Sequence, residues 1–438
     1  MPFLAFFLSS LILLSTTIAG AARKTEWSIH LDSRLDAVIF PQVYGEDTNE
    51  SLYRLELVPI YRWKYLDSVR FTFKPLFIAN PDNKSSTEQT FFDPGETFVH
   101  YQRESFSLQA GYNIFTWGVT DGYNPLDIIN PKQYFDPLHS RKLGLLSVVY
   151  SQTLGNWDYE VIFIPQNQGS VLPGDNSRWL PREIFLPQTA GNDLVLLLPE
   201  NLRYHSRSRK NLGDSAENNY ALRLQRRGDF IDFSISAFEG TAGFPLIIPE
   251  VTGSIVQVSP KTVIRVDPDV TLNSYNYRIR QGGISFVSNQ MNFLFKAVGS
   301  YTETLEDNPN LQKWSNENVL GLEKTFTFGD SGMLIAILQY SFLNTEKKND
   351  SNLSISEIFR SAYMGGGRLS WKEVWSANFL GLYDGIHGST YQEYSLSRRF
   401  LDAWVLTGTA GFIQGSSDTP LGVYGKNSSY SLSLSRSF

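Results

Sequence analysis

FSLQAGYNIFTWGVTDGYNPLDIINPKQYFDPLHSRKLGLLSVVYS occupies residues 106–151, and the rest of the chain repeats its grammar. Apolar and polar residues alternate at both ends, in FSLQAGYNIF and LGLLSVVYS, as they do in strands. Between them lies a connection of about 28 residues, punctuated by Gly118, Gly122, Asn124-Pro125, Asn130-Pro131 and Pro137. Proline fixes its own φ and drives the preceding residue out of the helical well, so these steps are turns and the loop is folded. Loops of that length are uncommon inside compact soluble domains, whereas one rim of a barrel is expected to carry them.

Working outward, residues 27–40 place Trp27, Ile29, Leu31, Leu35, Ala37 and Ile39 on one face. Ser28, His30, Asp32, Arg34 and Asp36 take the other face. A period of two sustained that far exceeds the usual soluble strand. Tyr53, Leu55, Leu57, Tyr61, Trp63 and Tyr65 then oppose Arg54, Glu56, Arg62 and Lys64, with Trp and Tyr at segment ends where a membrane interface favours them. Further strands are expected near 69–77, 97–103, 105–113, 143–152, 156–164, 218–227 and 230–239, and again near 275–287, 291–301, 317–328, 332–343, 359–372, 375–384, 391–400, 403–413 and 429–438. Even-numbered connections are tight (66–68, 104, 153–155, 228–229, 329–331, 401–402). The odd ones are long (79–96, 114–142, 165–217, 240–274). A soluble sandwich has no reason to sort its loops by parity. A transmembrane barrel does, with short periplasmic turns and long extracellular loops. The expected fold is therefore all-β, a single transmembrane antiparallel β-barrel of about 16–18 strands spanning residues 23–438. Residues 251–267 read as a small hairpin above the rim.

Composition narrows the function. Asp and Glu (44) outnumber Lys and Arg (38), for a formal net charge of −6, which excludes the concentrated basic footprint of a nucleic-acid binder. The absence of cysteine excludes disulfide scaffolds and thiol chemistry. Residues 1–22, MPFLAFFLSSLILLSTTIAGAA, have the short apolar core and small-residue end of a cleaved signal peptide, although no Lys or Arg precedes the core. Beyond them no apolar run reaches membrane-helix length; the longest, 194–198 and 333–338, are strand-sized or core-sized. The chain ends in SSYSLSLSRSF, with Tyr430, Leu432, Leu434 and Phe438 on one face and serines on the other. This resembles the terminal signature read by the outer-membrane assembly machinery, with Phe438 as its last residue. Arg436 stands where that signature prefers an apolar side chain, a small cost near an interface.

The opening segment resembles one found in bacterial outer-membrane porin-like β-barrels. The matching positions are Gly111, Trp117, Gly118, Asp121, Asn124, Pro125, Asp127, Asn130 and Pro131. The likeness implies the barrel and channel class. With the leader and the sorted loops, the expectation is a Gram-negative outer-membrane channel for passive diffusion of small hydrophilic solutes, and the inward arginines add a mild anion preference. Two other readings stay open: a plugged channel for hydrophobic compounds, for which the proline-broken loop 165–217 is suited, and a structural or surface-binding barrel. Outer-membrane lipids and lipopolysaccharide, the assembly machinery and small solutes are the implied partners. Porins commonly form homo-oligomers through their outer walls, and the sequence leaves the oligomeric state open.

The pore-lining candidates are Arg34, Asp36, Arg54, Glu56, Arg62, Arg223, Arg278, Arg280, Arg360 and Arg368, with Asp32 and Glu393 among them. Rings of charge can filter solutes by sign, although any watery lumen needs paired charges. Trp117, Asp121, Asn124, Asp127 and Asn130 are the candidates for a constriction. Their spacing is unlike a calcium-binding loop and suits Asx turns, so no metal is expected. The basic cluster Arg203, His205, Arg207, Arg209 and Lys210 reads as a solvated loop or a grip for anionic lipopolysaccharide. None of the five histidines (His30, His100, His139, His205, His387) sits in a nucleophile or zinc motif, so neither an enzyme nor a cofactor is expected.

Overall fold

A computed structural model describes residues 25–45, 48–180, 194–197, 199, 202–206, 210–211, 217–259, 261–329, 331–346, 355–401 and 403–438 of the 438-residue chain. The leader expected at 1–22, together with Arg207 and Arg209, lies outside the described residues.

The chain forms an 18-strand closed antiparallel barrel. Its strands are β1 (Thr25–Ile39), β2 (Ser51–Tyr65), β3 (Val69–Phe73), β4 (Thr97–Gln102), β5 (Phe106–Asn113), β6 (Leu145–Leu154), β7 (Trp157–Gln166), β8 (Glu217–Arg226) and β9 (Ile231–Thr241). There follow β10 (Arg278–Gln290), β11 (Phe293–Thr304), β12 (Trp314–Phe328), β13 (Gly332–Thr345), β14 (Ser361–Trp371), β15 (Trp375–Asp384), β16 (Thr390–Phe400), β17 (Trp404–Gln414) and β18 (Ser429–Ser437). Each pairs with its sequence neighbours. Closure comes from β1, which pairs with β2 on one side and β18 on the other, from Asp32↔Ser437 to Ile39↔Tyr430. Closure leaves no unpaired edge, which a bilayer would not tolerate.

Sequence chemistry sets both rims. The short turns place Leu66, Met291, Asn292, Lys372, Glu373 and Leu401 at positive φ, the left-handed geometry that matches the twist of a tight hairpin. At this rim outward basic residues lie over aromatic rings: Arg226 over Trp157 at 5.8 Å, Arg398 over Trp375 at 5.1 Å and Arg436 over Trp404 at 4.9 Å. The outward face between the rims is apolar, as a lipid-facing wall requires.

The long-loop rim departs from the sequence reading in two places. The connection 79–96 is not all loop. Leu76–Ala79 pairs with β2 and with Thr90–Asp93, so β3 and β4 continue upward past breaks at Pro75 and Pro94-Gly95. The expected hairpin at 251–267 is part of a larger one, Leu246–Gln257 against Thr262–Asn276. Its second strand also carries Leu194–Leu197, Arg203–Ser206 and Lys210–Asn211 as parallel partners. The result is a five-stranded sheet beside the mouth, with Leu180, Leu202, Tyr204 and Val270 packed together in its core.

The largest apolar core lies inside the barrel. Phe115, Trp117, Leu126 and Ile129 of the connection between β5 and β6 pack on inward Leu145, Val149, Ile162, Ile164, Ala221, Phe238, Ile279 and Val298. On these strands both faces are apolar because lipid covers one and the loop covers the other.

Candidate functional site

The loop 114–142 enters the lumen and is tied to the wall all the way round. At its root Asn130 Oδ1 accepts from Phe115 N (2.7 Å), and its Nδ2 donates to the carbonyls of Asn113 and Leu143 (both 2.8 Å). Asn124 closes an Asx turn, accepting from Leu126 N (3.2 Å) and donating to Trp117 O (2.6 Å). Gly118 stands at φ +83°, and a Cβ there would lie 2.1 Å from the Asn124 amide, so this turn requires glycine. Leu126, 1% exposed, sits over Gly283 of β10, where a Cβ would meet it at 2.2 Å. Truncating it to alanine costs about 2–5 kcal/mol of packing.

From that root the loop reaches opposite walls. Trp117 Nε1 donates to Glu160 of β7 (2.8 Å), and Arg223 of β8 lies 5.6 Å from its ring. At the tip Asp121 pairs with Lys296 of β11 (2.7 Å), and Gly122 N donates to Gln339 of β13 (2.6 Å). Tyr123 donates to Glu317 of β12 and stacks on Phe359 at 4.0 Å. Burial first, and then the neighbouring Glu317, push the Tyr123 phenol well above its usual range. On the return Asp127 is held by Lys142 (2.5 Å) and Lys132 (3.4 Å), and Arg141 donates to Glu56 of β2 (2.9 Å). Asp136 caps the short turn Pro137–His139. His139 bridges Asp136 (2.8 Å) and Glu393 of β16 (2.6 Å). Burial would lower its pKa, but the hydrogen bonds it donates to both carboxylates outweigh that and raise it to about 10, so the imidazolium is a fixed pin at neutral pH.

The predicted charges divide into three groups. Arg34, Asp36, Arg54 and Glu56 form one inward network, with Arg34–Asp36 at 2.6 Å, Arg54–Asp36 at 2.7 Å and Arg54–Glu56 at 3.3 Å; Asp36 is 4% exposed. Arg223 also faces inward and pairs with Glu160 at 3.4 Å. Arg62 and Arg368 face inward near the short-turn rim, with Arg70 of β3 beside Lys64 and His100 in the same rows, and none of these three arginines makes an ion pair among the described residues. The remaining three are corrections. Arg278 and Arg280 lie on the outer face of β10, sharing Glu239 of β9 at 3.4 and 2.8 Å. The parity is set by Ile284 and Phe286, both 41% exposed toward lipid, and by Gln281, which turns inward to donate to Pro125 O of the loop. Arg360 ends the turn Ile355–Arg360, ahead of β14 rather than on a wall strand, and pairs with Glu357 at 2.6 Å.

Sequence reading missed the wall anchors Glu160, Lys296, Glu317 and Gln339, and the role of the loop's own His139. It also missed Arg178, whose guanidinium donates to the carbonyls of Asn49, Gln42 and Lys426 and lies 4.4 Å from the Phe40 ring, joining three loops at the mouth. Above the loop opens a vestibule of about 1850 Å³, bounded by loop residues 120–138, the five-stranded sheet and the inner wall of β10–β16.

No family model matches the chain, and no curated protein matches it. OccK2 (OpdF) of Pseudomonas aeruginosa, solved in complex with glucuronate, is similar in structure. It is 8% identical, with a TM-score of 0.50 over 94% of this chain and 98% of that one. The chain shares that barrel fold. OccAB1 of Acinetobacter baumannii is 9% identical with a TM-score of 0.49, over 97% of this chain and 98% of that one. A BenF-like porin from Pseudomonas fluorescens Pf-5 is 7% identical with a TM-score of 0.49, over 96% and 99%. At such identities the likeness speaks to the barrel alone.

Proposed function

We propose that this barrel is an outer-membrane channel for passive diffusion of small hydrophilic solutes, narrowed by the loop 114–142. The observation that carries it is the loop's path across the lumen, pinned to β2, β7, β11, β12, β13 and β16 by side chains that face the interior. An 18-strand barrel is otherwise wide enough for an aqueous channel, so the loop sets the size limit. Trp117, Asp121, Asn124, Asp127 and Asn130 act as its constriction elements: Trp117 and Asp121 tie the loop to the wall, Asp127 holds the loop's own Lys132 and Lys142, and two amides shape turns.

A mild anion preference follows from Arg62, Arg70 and Arg368, which make no ion pair among the described residues. Export by a cleaved leader at 1–22 and an assembly role for Phe438 complete the reading. The Phe438 backbone exchanges hydrogen bonds with Leu31, and its ring lies 3.9 Å from the Arg436 guanidinium. Ion-current recording from the refolded chain in a planar bilayer tests the proposal: salt-proportional steps support it, and a salt gradient reads the sign preference.

A further inference from the structure

Porin lumens are expected to be polar, yet part of the wall beneath this vestibule is apolar. Inward Ile337 of β13 and Leu380 of β15 flank Gly366 of β14 in one row. Met364 and Leu382 stand together in the row above. Gly366 has no side chain, and a Cβ there would meet nothing closer than 3.4 Å, so a groove runs between Ile337 and Leu380. Leu380 is 37% exposed, and that exposure faces the vestibule rather than lipid. Across the cavity Tyr134 meets Phe244 edge-on at 5.0 Å, and Trp179 meets Tyr424 at 5.7 Å. Such surface stands in contact with water at a continuing cost unless something covers it.

Charge decides what covers it. The ionisable side chains lining this cavity, tyrosines apart, are Asp121, Asp127, Glu317 and Lys132 among the described residues. Asp121 is held by Lys296, Asp127 by Lys142 and Lys132, and Glu317 by Tyr123. An anion would face three carboxylates, and a cation would have to displace lysines already in place. In the vestibule either would lose hydration without a partner, and at the groove Glu323 beside Ile337 and Glu393 beside Leu380 are already held by Lys296 and His139. Gln168, Ser274, Thr304 and Gln312 supply neutral polar groups around the same space.

We infer that the vestibule and the groove below it form a binding site for an uncharged solute with an aromatic or aliphatic body and hydroxyl or amide groups. The inference deepens the channel reading and rests on it for the solute's onward passage, but binding itself does not require an open pore. Phenyl β-D-glucoside is the probe. Glucose lacks its apolar body, and benzoate keeps a ring but adds a charge. Titration calorimetry on the folded full chain in nanodiscs reads binding, and bilayer current reads passage. The expected result is saturable binding of the phenyl glucoside, with glucose and benzoate weaker by about tenfold or more.

Two variants keep the test sharp: Leu380→Asn makes the wall polar, and Gly366→Leu fills the groove. Either is expected to weaken phenyl glucoside binding severalfold while leaving benzoate unchanged. Benzoate binding as tightly as the glucoside would overturn the inference. So would glucose matching it, or a folded chain that binds none of the three. Conductance without binding sinks this site and spares the channel; binding without conductance does the reverse.

Discussion

The two ends of the lumen solve the problem of a charged interior differently. On the mouth side the carboxylates and cations neutralise one another: Arg34, Asp36, Arg54, Glu56 and Arg141 form one network, and Asp121, Lys296 and Glu323 another. Near the short-turn rim Arg62, Arg70 and Arg368 make no ion pair among the described residues. The difference separates holding from filtering. Paired charges fasten the loop to the wall and are nearly silent to a passing ion, whereas unpaired ones bias passage by sign.

The largest way to break that comparison is to remove what the paired charges hold. Deleting residues 122–135 is expected to raise single-channel conductance severalfold, and an unchanged conductance in a folded barrel would mean the loop is not the narrow point. Next comes the unpaired end. Changing Arg62, Arg70 and Arg368 together to Glu is expected to reverse the sign of the potential measured across a salt gradient. Arg278→Glu and Arg280→Glu, on the outer face, are expected to leave it unmoved.

A smaller effect is expected at the loop tip. A Cβ on Gly122 would lie 2.7 Å from Gln339 Oε1 and 2.9 Å from Met364 Sδ, so Gly122→Val pushes the tip off the wall. Open-channel noise should rise, with a conductance gain well below that of the deletion. The His139 pin gives a pH signature. Because its pKa is raised in the folded state, its contribution is complete below the ordinary histidine value near 6.5 and is lost as pH rises through about 10. Noise should therefore stay flat from neutral pH to about 9 and grow above 10, and His139→Phe should show that noise already at pH 7. Smallest is the turn Lys372-Glu373, where both residues sit at positive φ. Lys372→Asn is expected to stabilise the barrel by about 0.5–1 kcal/mol in denaturant unfolding, with no change in current.

Most of the barrel was legible because each strand meets two different environments. Alternation marks the strands, and the sorting of loop lengths marks the two rims. Both failed where a third surface intervened. Ile279 is apolar and inward because the loop covers it, and that reversed contrast put Arg278 and Arg280 on the wrong face. The run 333–338 is another case: Met333, Ile335 and Ile337 face the lumen while Leu334, Ala336 and Leu338 face lipid, so alternation disappears. An unbroken apolar run within a barrel strand was the available signal for an apolar inner wall. The loop's fixation points were invisible for a different reason. Gly122 and Gln339 are 217 residues apart, and no local pattern records such a pairing. Asn124 and Asn130, whose hydrogen bonds lie closer in the chain, were readable as turn residues.

Single-channel recording of the refolded, heat-modifiable full chain in a planar bilayer tests the central claim most directly. Discrete steps that scale with salt concentration, and grow when the loop is deleted, are the predicted result. Silence from a properly folded barrel, persisting after residues 122–135 are removed, would contradict the claim that this lumen is an aqueous path gated in width by its own loop.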